Sequence, residues 1–186
     1  MIETAQTVQV AAPIDAAWQY VENIHNWAEL MPGLQSCDVL NADDSRWVLK
    51  VGVGALVRTV KVDVHVDEWA GPERALFTFK LQGDPVVGGG SYQARPLPDG
   101  RVELTLSLRV EGTGPMAPMW EAMGGPLLPK FALAFARQLG EGIEKSITSA
   151  EGNAIGSQLE VPTSPARPSM WGRLFALFQR LWSKPA

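Results

Sequence analysis

The chain has 186 residues, 46 % of them hydrophobic and 19 % charged, which suits one domain with a sizeable core and an appendage. Its net charge of −4 is uneven: of 16 Lys/Arg, Arg167, Arg173, Arg180 and Lys184 lie beyond residue 160, whereas all 20 Asp/Glu lie within residues 1–160. An acidic body repels phosphates, which excludes nucleic acid as a partner, and a lone cysteine, Cys37, excludes an intrachain disulfide.

The opening "MIETAQTVQV" lacks a basic region ahead of an apolar run, so no signal peptide is expected. No segment supplies the ~18 uncharged apolar residues of a membrane span, and a cytoplasmic location is the expectation. From Thr7 to Gly33 the pattern predicts a short strand and then a helix. Pro13 fits the first helical position, Asp15 the first turn, and Ile14, Trp18 and Val21 one face. A break near Asn23–Asn26 separates a second short helix carrying Trp27, Leu30 and Met31, which Pro32–Gly33 ends.

The next eighty residues alternate with period two. Val60, Val62, Val64 and Val66 face one way, opposite Thr59, Lys61, Asp63, His65 and Asp67. Ala75, Phe77, Phe79 and Leu81 share a face, as do Val102, Leu104, Leu106, Leu108 and Val110. This is the pattern of an antiparallel sheet wet on one side and covered on the other. Turns are expected at Ala70–Pro72 and Pro98–Gly100, and bends or bulges at "VGVG" (51–54) and "GGG" (88–90).

A helix is expected from about Pro126 to Thr148. Leu127, Phe131, Phe135, Leu139, Ile143 and Ile147 recur every fourth residue, and its large apolar positions span roughly 200° of arc, so a concave surface must embrace it. Before it, "PMAPMWEAMGGPLLP" puts Met116, Met119, Trp120 and Met123 on one face beside a Gly-Gly-Pro hinge. Such a patch serves either as a gate over a ligand site or as a plain packing cap. Residues 150–168 read as a Pro/Ser/Gly-rich tether spanning about 20–25 Å.

The last segment, 169–184, reads as a basic amphipathic helix. Met170, Trp171, Leu174, Phe175, Leu177, Phe178, Leu181 and Trp182 fill roughly 160° of arc, and Arg173, Arg180 and Lys184 cluster on the far side. Such a helix lies in a lipid headgroup layer; the alternatives are folding back onto its own body, or docking on a second copy or into a partner's groove.

Strand, two short helices, long antiparallel sheet and one long helix make an α+β helix-grip arrangement. With "VAAPIDAAWQYVENIHNWAELMPG" the chain resembles the START-like (SRPBCC) superfamily over roughly residues 3–149. "MPGLQSCDVL" and the basic extension are most similar to the CoxG family, which is associated with aerobic carbon monoxide dehydrogenase. The resemblance implies a hydrophobic-ligand cavity under the long helix. It also implies peripheral association with the inner leaflet and service to a molybdenum hydroxylase of the carbon monoxide dehydrogenase type, with a membrane quinone or lipid as cargo.

The candidate ligand-binding residues are Val60, Val62, Val64, Phe77, Phe79, Tyr92, Leu104, Leu106, Leu108, Met116, Met119, Trp120, Met123, Leu127, Phe131 and Phe135. Either Tyr92 or Gln93 faces inward and can hydrogen-bond a ligand carbonyl. No catalytic or metal-ligating set is expected, and no resident cofactor. His65 reads as a solvated strand residue, His25 as a turn residue and Cys37 as a small hydrophobe, and "VGVGALV" lacks what a phosphate cradle needs. The predicted function is a non-catalytic carrier of an apolar molecule. Its rivals are a cyclase- or hydrolase-like enzyme acting through Tyr92, Gln93 or His25, and a membrane-recruitment adaptor with a filled core.

Overall fold

The computed structural model describes residues 1–53 and 56–157; the side chains of residues 52, 53, 56, 116, 119, 123 and 151–157 fall outside that description. The expected tail helix, 169–184, lies outside it too, as do 158–168 of the expected tether. Strand β1 (Ile2–Val10) leads to helices α1 (Ile14–Val21) and α2 (Ile24–Glu29). Six strands follow: β2 (Leu34–Val39), β3 (Asp44–Val53), β4 (Leu56–Ala70), β5 (Arg74–Leu81), β6 (Val86–Pro96) and β7 (Val102–Gly112). Helix α3 (Ala117–Ser157) ends the described chain. The unit Met1–Glu151 contains all these elements except the end of α3.

All seven strands pair antiparallel in one sheet, in the order β1-β7-β6-β5-β4-β3-β2. The two helices between β1 and β2 allow the chain to cross from one edge to the other; every other connection is a hairpin. As the alternation predicts, Val60, Val62, Val64 and Val66 are all buried while Thr59, Lys61 and His65 are exposed. Val102, Leu104 and Leu106 are buried in the same way on β7.

A bulge then changes the parity of β4. Val66 pairs with Phe77, but Glu68 pairs with Leu76, so Asp67 is the extra residue and Trp69, opposite Ala75, joins the inner face. The glycine run has a steric cause. Gly88 and Gly90 pair with Phe79 and Phe77, and a Cβ on Gly90 would stand 2.6 Å from Phe77 Cζ and 2.2 Å from the Ser107 carbonyl oxygen. The phenylalanine rings therefore lie across the bare backbone of β6.

At the chain start Pro13 is the N-cap rather than the first helical residue: its backbone is extended (φ −66°, ψ 151°) and its carbonyl accepts from Ala17 N–H at 3.1 Å. Asn23 caps α2, its side chain accepting from His25 N–H at 3.1 Å.

Helix α3 is longer than its periodicity suggests. The expected start at Pro126 gives way to Ala117, with Pro126 and Pro129 inside the helix, and the helix runs on to Ser157 through the first residues of the expected tether. Both prolines lack the N–H that would bond to the residue four before, so the Ala122 and Gly125 carbonyls lose their intrahelical partners. Leu127, Leu128 and Phe131 turn their apolar side chains towards the inner face of the sheet, which favours helix across this weak turn. Towards the C-terminal half of α3, Ala132, Phe135, Ala136, Leu139 and Ile143 are buried.

Candidate functional site

The inner face of the sheet and α3 do not close on each other along their full length. Around Ala136 and Ile143 they pack solidly, within one buried cluster that includes Val10, Val102 and Leu104. Under the part of α3 from Trp120 to Leu139 they part around a cavity of about 560 Å³. That size accommodates a molecule of drug or short-lipid dimensions.

The structure places Val60, Val62, Val64, Phe77, Phe79, Tyr92, Leu106, Leu108, Trp120, Leu127, Phe131 and Phe135 on its wall. Leu104 is corrected: it is fully buried between Val8 and Ala94 on the neighbouring strands, at the packed end and away from the wall. The side chains of Met116, Met119 and Met123 lie outside the described residues, and so do the tail residues from Met170 to Lys184. Of the two polar candidates on β6, Tyr92 is inside and Gln93 is exposed on the outer face.

One end of the wall is aromatic. Trp27 on α2 meets Trp47 edge-on at 5.1 Å and Phe77 at 6.0 Å between ring centroids. Trp18 on α1 touches Trp69 at 5.9 Å and Tyr92 at 6.2 Å. The Trp47 indole N–H donates to Ser45 Oγ at 2.9 Å and that of Trp69 to Asp43 Oδ1 at 3.0 Å. By contrast, Trp27 Nε1 and the Tyr92 hydroxyl are buried without a hydrogen-bond partner among the described residues. Burial alone pushes the Tyr92 phenol far above its ordinary range, so it stays protonated and serves as a donor, not a base.

The opposite end carries the wall's one charged side chain among the described residues, Arg58. It has the same parity as Val60 and pairs with Val51, which puts it on the inner row where β4 leaves the sheet's cover. Its guanidinium donates to Asp84 Oδ2 at 2.9 Å and lies 5.6 Å from the centre of the Trp120 ring. Three segments therefore meet at this exposed end: the β3–β4 hairpin, the β5–β6 turn and the first turns of α3.

The other candidates for chemistry lie elsewhere. His65, on the outer face, contacts Asp44 Oδ1 at 2.8 Å, and that hydrogen bond raises its pKa. His25 is exposed on α2, and Cys37 is half-buried on β2 with its thiol pKa raised by burial. Among the described residues the wall contains no Asp, Glu, His, Lys or Cys, and no cluster of three or more such groups could hold a metal ion.

Trp27, Trp47, Trp69 and Arg58 are wall residues that the sequence reading missed. Parity could have found Arg58 and Trp47; Trp69 is hidden by the bulge and Trp27 by its place on a six-residue helix.

Solved structures share this architecture. A conserved protein from Geobacillus kaustophilus is 18 % identical, superposes with a TM-score of 0.67 and covers 78 % of this chain and 97 % of its own. The Zhui aromatase/cyclase from Streptomyces sp. R1128 gives 19 % identity and a TM-score of 0.58, with 80 % and 96 % covered. A START superfamily protein from Mycobacterium smegmatis gives 17 % and 0.58, with 80 % and 98 % covered. At these identities the likeness establishes the START-like helix-grip fold. No curated protein matches the sequence significantly. Residues 1–145 match the family described as polyketide cyclase/dehydrase and lipid transport, and the chain is a member of that family.

Proposed function

We propose that the protein binds one apolar, lipid- or quinone-like molecule between sheet and long helix and carries it to a partner, without transforming it. The observation that carries this is the cavity: about 560 Å³ walled by aliphatic and aromatic side chains. Transfer of apolar surface out of water favours occupancy by roughly 25 cal/mol per Å² buried. Entry runs past the exposed end, where Gly124, Gly125 and the internal Pro126 weaken α3 beside Trp120.

The finer assignment adds a membrane and a client. The amphipathic pattern of 169–184 supports reversible attachment to an anionic leaflet, each cation contributing about 1 kcal/mol. Among the described residues no helix is long and apolar enough to cross a membrane. The likeness of "MPGLQSCDVL" to the CoxG family supports a molybdenum hydroxylase of the carbon monoxide dehydrogenase type as client and a membrane quinone as cargo. Removal of residues 169–186 is expected to abolish sedimentation with anionic liposomes while leaving ligand binding in detergent intact. A truncated protein that still pellets would contradict the membrane assignment.

Family membership supports a second reading, a cyclase-type enzyme, because the family description includes cyclases and dehydrases. Tyr92 is then the candidate acid, as a wall residue whose phenol is held protonated by burial. Turnover of an aromatic polyketide analogue, lost on Tyr92→Phe, would favour it over the carrier.

A further inference from the structure

We infer that the β3–β4 hairpin is a lid at the cavity mouth, latched by the Arg58–Asp84 ion pair, and that an anionic lipid surface opens it by drawing Arg58 away from Asp84. This rests on the carrier function proposed above and adds what controls loading and release. The hairpin outruns its neighbours. Pairing of β5 with β4 ends at Leu81–Val62, followed by one bond from the Gln82 N–H to the Lys61 carbonyl at 2.8 Å. On the other side β2 reaches Leu49, and the Lys50 N–H donates to the Gly33 carbonyl at 2.7 Å. Past those points Val51, Gly52 and Val53 pair with Arg58, Val57 and Leu56, and among the described residues with no other strand. A two-stranded arm is marginally stable by itself, so its side-chain contacts decide where it rests.

Arg58 supplies the polar contact. Its ion pair with Asp84 is the one salt bridge among the described residues that joins the arm to another part of the chain, and its guanidinium also lies against Trp120. Val51, Val57 and Arg58 of the arm line the cavity together with Trp120 and Gly124 of α3, so this contact spans the exposed end. The two ionic partners are unequal: the Asp84 side chain is 12 % exposed and that of Arg58 55 %. A covered carboxylate loses much when its cation leaves, which keeps the arm closed in water. The guanidinium, open to solvent, matches a phosphate in a bidentate pair. A lipid headgroup layer offers such acceptors in number, so Arg58 exchanges one anion for another and never goes unpaired. The same layer offers Val57, 55 % exposed on the arm, an apolar partner that water and free phosphate lack. The lid therefore opens at the surface from which an apolar cargo is taken up.

The test loads the full chain with the neutral fluorophore N-phenylnaphthylamine and mixes it in a stopped flow with vesicles carrying a lipid-bound quencher, so that loss of fluorescence reads transfer out of the protein. One set of vesicles is phosphatidylcholine; the other is phosphatidylcholine mixed with phosphatidylglycerol. Phosphatidylglycerol is expected to speed transfer from wild type on the order of 10-fold, the scale of one charge-assisted bond. Asp84→Asn and Arg58→Gln should transfer fast to both sets, with the anionic lipid adding little. Their equilibrium Kd for the fluorophore should stay near the wild-type value, which shows that they fold. Inorganic phosphate at matched ionic strength should leave the wild-type rate unchanged. A rate raised by phosphate as far as by phosphatidylglycerol, or equal wild-type transfer to both sets, would overturn the lipid surface as the trigger. Variants as slow as wild type on phosphatidylcholine, or as responsive to phosphatidylglycerol, would overturn the latch and leave the carrier standing. Failure of wild type to take up the fluorophore would overturn the carrier and the lid with it.

Discussion

Tyr92→Phe should make the ligand-free protein more stable. A tyrosine to phenylalanine change in a core usually costs stability, because it removes a hydrogen bond. Here the hydroxyl is buried with no partner among the described residues. Leaving such a group unsatisfied costs about 1–3 kcal/mol, and the substitution removes that penalty while keeping the ring against Trp18. For a unit spanning Met1–Glu151, an unfolding entropy near 2.1 cal/mol/K per residue converts this gain into a rise in Tm of roughly 3–9 °C. The assay is reversible thermal or urea unfolding of wild type and variant after extraction of bound ligand. The folded state also raises the phenol pKa, so its contribution is fully present below the ordinary value near 10 and is lost as pH rises beyond it. Alkaline destabilisation should therefore be smaller in the variant. A loss of stability of 1 kcal/mol or more on Tyr92→Phe would show that the hydroxyl is satisfied within the protein, and the reasoning would fail.

Val64→Phe combined with Leu106→Phe should cost less than about 1 kcal/mol of stability, because both side chains would grow into the cavity, whereas overpacking a filled core costs about 1–3 kcal/mol; urea unfolding measures it, and binding of apolar probes should be lost. Gly90→Val should destabilise by about 2 kcal/mol or more in the same assay, since its Cβ would meet the Ser107 carbonyl at 2.2 Å and the Phe77 ring at 2.6 Å. Arg58→Ala removes both the Asp84 pairing and the contact with Trp120, and should raise ligand exchange rates in stopped-flow fluorescence with a smaller change in Kd. His65 should titrate above the ordinary histidine pKa by NMR, and Asp44→Asn should bring it back down; because the folded pKa is raised, the pairing stabilises below the ordinary value and is lost as pH rises through the folded one.

Much of the sheet could be read from the sequence because its chemistry is periodic. Four valines from Val60 to Val66 alternate with polar residues, and each occupies the face the alternation assigns. Periodicity fails where the backbone changes step. The bulge at Asp67 sends Trp69 inward, and nothing in "HVDEWA" announces an extra residue. Arg58 was legible in principle, two residues before Val60, but a charged side chain at the end of an apolar row looks like the end of the row. Leu104 shows the opposite limit: parity places it on the inner face, but only the packing of α3 separates the solid end from the hollow one. Helix limits were the least legible feature. Pro126 signals a start in isolated sequence, whereas in the folded chain apolar contacts on both sides of it outweigh the lost hydrogen bonds. The orphaned donors at Trp27 and Tyr92 have no sequence signature, because absence of a partner is a property of three-dimensional surroundings.

The central claim is that the space between sheet and long helix holds a guest. Native mass spectrometry of the full chain, purified without detergent and then exposed to a membrane lipid extract, tests it directly. The account predicts one apolar molecule per chain, released on denaturation and missing from the Val64→Phe/Leu106→Phe variant. A bare chain in every charge state, before and after exposure, would contradict it.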